Sequence, residues 1–449
     1  MFCGPISNGG NGDTRRSPSR YATSQSPDRL IVKKLNLCLA APSFFPTYGG
    51  AQLRFLRYLP GLHARSIDTR IVTGTPTANE HTAAGHAEEW QKSRVGDILD
   101  SATPDGTPVH RVRLPDEKGW QRAVLFNQTV ARGCLQAGHQ AEVLQLVTSL
   151  QPLTIPWIRY LRARRIAVAY AVTIAPRQNK ISKNRFKRAY RSWSARELYN
   201  QLDCIITNNT PLRDIVREMG VTTPVEVIPN GVDLRRFKPS TDGNEHHELR
   251  ASLGVSGNDF LVTTVGAVIP RKGGDILLEA WLRIAERFPS AHLALIGPRT
   301  DLQDPKLAAF RDRLESLRQA SPAPQNVHFV GEVAEIETYM RATDVLVLPS
   351  DREGMPNSVL EAMASKVPVV LTPFTGLSDD LGTSGQHFLL AERDAHSLAE
   401  AILGLLDNSE LRAELAAGGH NWVTSRMDME IALDRYAGVY RELAAQYRK

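Results

Sequence analysis

The sequence predicts an α/β protein of two Rossmann-like, doubly wound parallel-sheet domains facing a central cleft, and three observations predict it. The 449-residue chain is too long for one hydrophobic core and suits two domains of roughly 200 residues each. Short apolar runs bounded by turn residues recur along it, as strands covered on both faces of a parallel sheet require. Helix-length segments separate them, and the same strand-and-helix rhythm restarts after a polar break.

Leu35-Asn36-Leu37-Cys38-Leu39-Ala40 reads as the first buried strand, with Gly49-Gly50 in the loop after it. From Ala51 to about Arg65, Leu53, Leu56, Leu59 and Leu62 recur at three-residue steps and predict an amphipathic helix. A strand from Thr69 to Thr73 follows, and Val143 to Val147, Ile166 to Ile174 and Cys204 to Thr207 are further buried strands. The polar stretch from Ser240 to His247 reads as an interdomain linker. The second half has strands at Phe260 to Val265, Ala291 to Ile296, Val327 to Val330, Val345 to Leu348 and Pro368 to Leu371. They alternate with helices at Asp275 to Arg287, Asp304 to Gln319 and Asn357 to Ala364. Domains are therefore expected over residues 35–235 and 236–424, with a C-terminal helix at about 425–449 packing back on the first. In open parallel sheets ligands bind beyond the carboxyl ends of the strands, so the cleft is the expected site.

Composition excludes several classes. An apolar fraction of 42% and a charged fraction of 23% are ordinary for a globular chain. No apolar run reaches the ~18 residues that a membrane span needs. Residues 1–34 are rich in Gly, Ser, Pro, Asn and Arg and lack the apolar core of a signal peptide, so they are expected to be a disordered tail. Cys3, Cys38, Cys134 and Cys204 are far apart in sequence, with no C-x-x-C pair, which predicts reduced thiols in a cytoplasmic protein. The net charge of +6 is unevenly spread: from Arg159 to Arg196 there are twelve Lys or Arg and no Asp or Glu.

The densest chemical signal is Pro349-Ser-Asp-Arg-Glu353-Gly-Met-Pro-Asn-Ser-Val-Leu-Glu361-Ala-Met-Ala, a strand end, a loop and a helix. Gly354 lets backbone approach a ligand closely, and Met355 lies beside it. Pro356, Asn357 and Ser358 suit the first turn of a helix whose unpaired N–H groups hold phosphate. Glu353 is placed to accept hydrogen bonds from sugar hydroxyls, and Glu361 to hold a ribose diol, since a carboxylate offers several lone pairs. Ser358-x-x-Glu361 also reads as a capping box, a purely structural role.

This stretch resembles the E-x7-E signature of retaining glycosyltransferases of family four, the superfamily of glycogen synthases and phosphatidylinositol mannosyltransferases, which have the GT-B fold. The resemblance covers nearly everything from Leu35 onward, strongly from Ile228 to Leu381. It implies an acceptor domain over residues 35–235 and a nucleotide-sugar donor domain over 236–424. Val265-Gly266-Ala267-Val-Ile-Pro-Arg271-Lys272-Gly273-Gly274 is a strand, a glycine loop and two cations before a helix, suited to neutralising a donor diphosphate. Lys272 matches the family's lysine. Ala267 stands where the family has arginine, and Arg271 is expected to supply that charge. Glu353, Arg271 and Lys272 are thus the expected catalytic residues.

The resemblance adds Ile228-Pro229-Asn230-Gly231-Val-Asp233 at the domain crossover, Gly49-Gly50 approaching the donor phosphates from the first domain, and Gly331 in Val330-Gly331-Glu332-Val333 beside the base. Many relatives have a histidine after the strand at Ile166 to Ile174. Here the chain reads Tyr170-Ala-Val-Thr173-Ile-Ala-Pro176. No Asp-x-Asp motif is found, so no metal and no cofactor beyond the nucleotide-sugar co-substrate is expected.

Phe186, Tyr190 and Trp193 are spaced to share one helical face among Lys180, Lys183, Arg185, Lys187, Arg188 and Arg191. The stretch from Lys180 to Arg196 suits an anionic membrane surface or a phosphorylated lipid carrier, which would place the protein on the inner face of the plasma membrane. The plain alternative is a solvated helix whose aromatics pack on the domain. No motif accompanies it that would suit nucleic acid. The sequence thus predicts metal-independent, retaining transfer of a hexosyl group from a UDP- or GDP-sugar to a hydroxyl acceptor, lipid-linked or otherwise, in glycan, polysaccharide or glycolipid assembly. The rivals are an epimerase or phosphorylase of the same architecture and a non-catalytic sugar-nucleotide-binding protein.

Overall fold

The computed structural model describes residues 33–45, 49–75, 92–115, 119–147, 150, 152–174, 193–240, 246–298 and 305–448, and residues 34–449 form one compact unit. The expected tail, apart from Lys33 and Lys34, lies outside the described residues.

Eight strands, β1 (Leu35–Ala41), β2 (Ile67–Gly74), β3 (Ile98–Ala102), β4 (Pro108–Val112), β5 (Val143–Val147), β6 (Ala167–Val172), β7 (Cys204–Thr207) and β8 (Val225–Val227), build the first sheet. Their order is β3-β4-β2-β1-β5-β6-β7-β8. The second sheet holds β9 (Leu261–Val265), β10 (His292–Ile296), β11 (Val327–Gly331), β12 (Val345–Leu348), β13 (Val369–Leu371) and β14 (Leu389–Leu390) in the order β11-β10-β9-β12-β13-β14. Every pair in the second sheet is parallel. The central strands β5 and β6 are buried along their whole length, which is why they read as continuous apolar runs.

The first sheet departs from the expected all-parallel form at one edge, where β3 runs antiparallel to β4. Its sequence, Ile98-Leu-Asp-Ser-Ala102, is almost wholly exposed, so no apolar run announces it.

Five helices matter for the site: α1 (Gly50–Ala64), α2 (Thr210–Glu218), α3 (Gly274–Arg287), α4 (Asn357–Ala364) and α5 (Met429–Gln446). On α1 the buried residues are Arg54, Phe55, Tyr58, Leu59 and Leu62, not the stripe of four leucines. A step of three falls short of the 3.6-residue turn and drifts around the helix, whereas steps of one, three and four stay on one face. That face meets α5, whose Leu433, Tyr436 and Tyr440 share a core cluster with Leu37, Phe55 and Tyr58. Phe55, Tyr58 and Tyr436 pack edge to face at 5.7 to 6.3 Å between ring centroids, and Tyr440 donates a hydrogen bond to Gln145 Oε1 on β5 at 3.1 Å. The last helix of the chain is therefore built into the first half.

Cys38, Cys134 and Cys204 are buried free thiols; Cys3 lies outside the described residues. No described helix is long and apolar enough to cross a membrane. Of the basic stretch, residues 175–192, with Phe186, Tyr190 and the cations from Lys180 to Arg191, lie outside the described residues. Trp193 is about half exposed.

In both sheets the strand order runs outward from a central pair, β1 and β5 in the first, β9 and β12 in the second. At such a switch point the loops after neighbouring strands diverge and leave a crevice. Gly49 and Gly50 lie beyond the end of β1, Gly266 to Lys272 follow β9, and the loop with Glu353 follows β12.

Candidate active site

The loops after β9 and β12 are tied to each other by backbone. Asp351 N–H donates to Arg271 C=O at 3.0 Å, and Arg271 Nη1 donates to Arg352 C=O at 3.0 Å. This brings one carboxylate under two cations: Glu353 Oε1 is 3.0 Å from Arg271 Nη1 and 2.7 Å from Lys272 Nζ. Glu353 is buried. Burial opposes its ionisation, yet Lys272 and Arg271 together outweigh burial and hold the carboxyl below the usual range.

Two glycines make this approach possible. Gly266 has φ +150°, and a Cβ there would stand 3.0 Å from Lys272 Cε, so the lysine arm runs over the bare Cα. Gly273 has φ +70°, in the left-handed region, and a Cβ would fall 2.1 Å from Pro349 C=O. No other residue type fits both its conformation and its neighbour.

A second group gathers along the seam between the halves. Asn230 Nδ2 donates to Met355 C=O at 2.9 Å and to Asn357 Oδ1 at 2.8 Å, while Arg54 of α1 donates to Asn230 Oδ1. Asn357 Nδ2 lies 3.5 Å from Gly50 C=O, so the glycine loop after β1 meets the start of α4. Gly49 is the N-cap of α1. Gly231 N–H donates to the Tyr58 hydroxyl at 2.7 Å; burial pushes that phenol up to about 12, so it stays neutral.

The capping box does not form. Pro356 occupies the N-cap of α4 with no side-chain cap, and Glu361 instead pairs with Arg57 of α1 at 2.5 Å. Ser358 lies buried in the first turn.

Gly354 also has a role within the protein. It permits a close approach of backbone to backbone: a Cβ would lie 2.0 Å from Thr173 C=O, at the end of β6. Thr173 lies in the stretch Tyr170 to Pro176, which holds no histidine. Asn209 Nδ2 fastens the same loop by donating to Gly354 C=O at 2.9 Å and Gly376 C=O at 3.2 Å. Asp380 accepts from Thr210 N–H at the start of α2 at 2.6 Å. Gly331 is linked to the loop after β9 through Gly297, whose N–H donates to Gly331 C=O at 2.7 Å and where a Cβ would fall 2.2 Å from Gly266 C=O.

The structure thus brings Glu353, Arg271, Lys272 and Gly266 together, and gathers Gly50, Asn230, Met355, Asn357 and Glu361 beside them. Gly354 lies against Thr173 and Asn209 of the first half. Sequence reasoning missed Arg54, Arg57, Asn209 and Asp380, which act across the seam and carry no local motif. Their signal was faint: two arginines three apart on the apolar side of a helix. Among the described residues no group of three or more His, Cys, Asp or Glu is arranged to hold a metal ion.

Two family models match the chain, the glycosyl transferase 4-like domain over residues 49–231 and the glycosyl transferases group 1 over residues 259–408. Together they cover all of the second sheet and all of the first but β1. The chain belongs to the group 1 glycosyltransferases. This glycosyltransferase is 27% identical over 258 residues to a GDP-mannose-dependent monoacylated alpha-(1-6)-phosphatidylinositol monomannoside mannosyltransferase of Corynebacterium glutamicum, a match covering 55% of this chain and 64% of that protein. It is 26% identical over 294 residues to the lipopolysaccharide core biosynthesis glycosyltransferase LpsE of Rhizobium meliloti, covering 64% and 80%. Among solved structures, sucrose-phosphate synthase from Thermosynechococcus elongatus superposes with a TM-score of 0.72 at 21% identity over 92% of this chain and 100% of that one. Anabaena HepE in complex with UDP-glucose superposes with a TM-score of 0.66 at 18% identity, covering 90% and 99%. At these identities the structural likeness is one of fold, and the fold is GT-B. In this glycosyltransferase the two glutamates of the E-x7-E motif are both engaged by cations, one set from its own half and one from the other.

Proposed function

We propose that the glycosyltransferase moves a hexosyl group from a UDP- or GDP-sugar to a hydroxyl acceptor with retention of the anomeric configuration and without a metal ion. The observation that carries this reading is the buried Glu353 carboxylate beneath Arg271 and Lys272, at the switch point of the second sheet. A cation pair poised in a low-dielectric crevice stabilises charge that develops on a departing diphosphate, with no reorganisation at the moment of reaction. Arg271 then does the work of the arginine absent at Ala267.

In this reading the diphosphate lies against Gly266 to Lys272 and the start of α4, with Gly49-Gly50 closing from the first half. Glu353 accepts hydrogen bonds from the sugar hydroxyls, and Glu361 holds the ribose. As the C1–O bond to the diphosphate breaks, the acceptor oxygen bonds to C1 on the same face, and its proton passes to the leaving phosphate oxygen. No side-chain base is needed, which suits a stretch from Tyr170 to Pro176 without histidine; positioning supplies the rest. Neither glutamate serves as nucleophile, in contrast to the carboxylate pair of a retaining glycosidase, since each is already committed to cations. The acceptor belongs to glycan, polysaccharide or glycolipid assembly, and a lipid-linked acceptor is the reading that the basic stretch from Lys180 to Arg196 favours.

The test is transfer from UDP- and GDP-hexoses to a panel of hydroxyl acceptors in the presence of a chelator, with the product anomer read by proton NMR. Expected are acceptor-dependent release of nucleoside diphosphate and a product of the donor's own anomeric configuration. An inverted product, or turnover abolished by the chelator and restored by a divalent ion, would overturn it.

A further inference from the structure

We propose that Arg57, on the first half of the protein, is a positioning residue for the nucleotide: it orients Glu361 toward the donor's ribose and so makes ribose recognition depend on contact between the halves. The inference deepens the reading above and rests on its assignment of Glu361 to the ribose.

Glu361 has two places to go. The sequence offers it a capping-box partner, Ser358, at its own helix start. The structure shows it elsewhere, with Oε1 2.5 Å from Arg57 Nη1. Arg57 is itself held, its guanidinium lying 5.6 Å from the ring centroid of Phe237, a fully buried side chain just after the crossover. An arginine between an aromatic ring and a carboxylate loses little further freedom when it binds. It fixes one carboxylate oxygen and leaves the other for a hydroxyl.

Arg57 and Glu361 are 304 positions apart in sequence and belong to helices associated with different sheets. The geometry of the ribose carboxylate is therefore set by a residue of the half opposite the one that carries it. An arginine serving stability alone would matter equally to every ligand of the site. One acting through Glu361 matters to the 2′-hydroxyl.

The test measures binding of UDP and GDP, their 2′-deoxy counterparts and inorganic pyrophosphate to the full chain by calorimetry, in wild type, Arg57→Gln, Arg57→Lys and Glu361→Gln. Thermal unfolding confirms that each variant is folded. A hydroxyl bonded to a charged group is expected to favour the ribonucleotide about tenfold in wild type. Glu361→Gln is expected to lose that ratio. Arg57→Gln is expected to bring it below about threefold while pyrophosphate binding stays unchanged, and Arg57→Lys to restore part of it. Equal weakening of all ligands in Arg57→Gln would make its role structural and overturn the proposal. So would an unchanged ratio in Arg57→Gln when Glu361→Gln has lost it, and that outcome leaves the ribose assignment standing. A ratio that survives Glu361→Gln removes the ribose assignment and the inference together.

Discussion

Lys272 Nζ lies 2.7 Å from Glu353 Oε1, and the arm that carries it there crosses the bare Cα of Gly266. The motif after β9 and the motif after β12 are thus one device. The strand order places them side by side, the glycine clears the path, and the shared carboxylate holds both cations at the switch point of the second sheet.

Lys272→Met takes one cation from a buried carboxylate while Arg271 stays. Because a partner remains, the stability loss is expected at about 1–3 kcal/mol, below the 3–5 kcal/mol of a buried charge left wholly unpaired. Turnover is expected to fall much further, by about 10²–10³-fold, as when one preorganised charge is removed from a transition state. Denaturant unfolding and donor turnover, measured together, check both. A stability loss with full activity would remove Lys272 from the site.

Glu353 titrates below its unfolded range, so its pairing stabilises the fold wherever the unfolded chain would have it ionised, above about pH 4.3. As pH falls from there through the lowered folded value, protons bind and the contribution is lost. Wild type is therefore expected to exceed Glu353→Gln in urea midpoint at neutral pH, and the gap to narrow only below about pH 4. A gap constant from pH 7 to pH 3 would show that Glu353 is not held ionised by its neighbours.

Two glycines in the site loops separate backbone roles from ligand roles. Gly273→Ala meets Pro349 C=O at 2.1 Å with φ at +70°, so conformation and contact both resist it. A loss above about 1 kcal/mol is expected, seen as a lower Tm with or without donor. Gly354→Ala meets Thr173 C=O at 2.0 Å, across the seam, and is expected to lower activity more than stability because the two halves can separate there. Crystal structures of the variant in which that contact is unaltered would count against this.

Much of the fold was legible because parallel strands buried on both faces write themselves as apolar runs. Cys204–Thr207 and Val345–Leu348 coincide with their predicted bounds. β3 was not legible because an exposed antiparallel edge strand leaves no such run. The cations near Glu353 were legible because they sit in a short glycine loop between a strand and a helix. Arg54 and Arg57 were not, since their partners Asn230 and Glu361 lie 176 and 304 positions away and only the packing of α1 across the seam brings them together. The contact of Gly354 with Thr173 was hidden for the same reason: the carbonyl that makes the glycine necessary is distant in sequence.

Asp380 tests the seam away from the chemistry. Its carboxylate accepts from Thr210 N–H at 2.6 Å and from the Thr210 hydroxyl at 3.2 Å, placing negative charge from the second half at the positive start of α2 in the first. Asn209 already caps α2 by accepting from Leu212 N–H at 2.9 Å, so the helix keeps one cap when Asp380 is removed. Asp380→Ala is therefore expected to cost only about 1 kcal/mol. Asp380→Asn, which keeps an acceptor oxygen and loses the charge, is expected to cost about half as much. The larger consequence falls on the relation between the halves: small-angle scattering of Asp380→Ala is expected to give a greater radius of gyration than wild type, and saturating donor, by bridging Gly49-Gly50 and α4, to reduce the difference. Equal radii in both forms would show that the remaining contacts, Arg57 with Glu361 and Asn209 with Gly354, hold the seam without it.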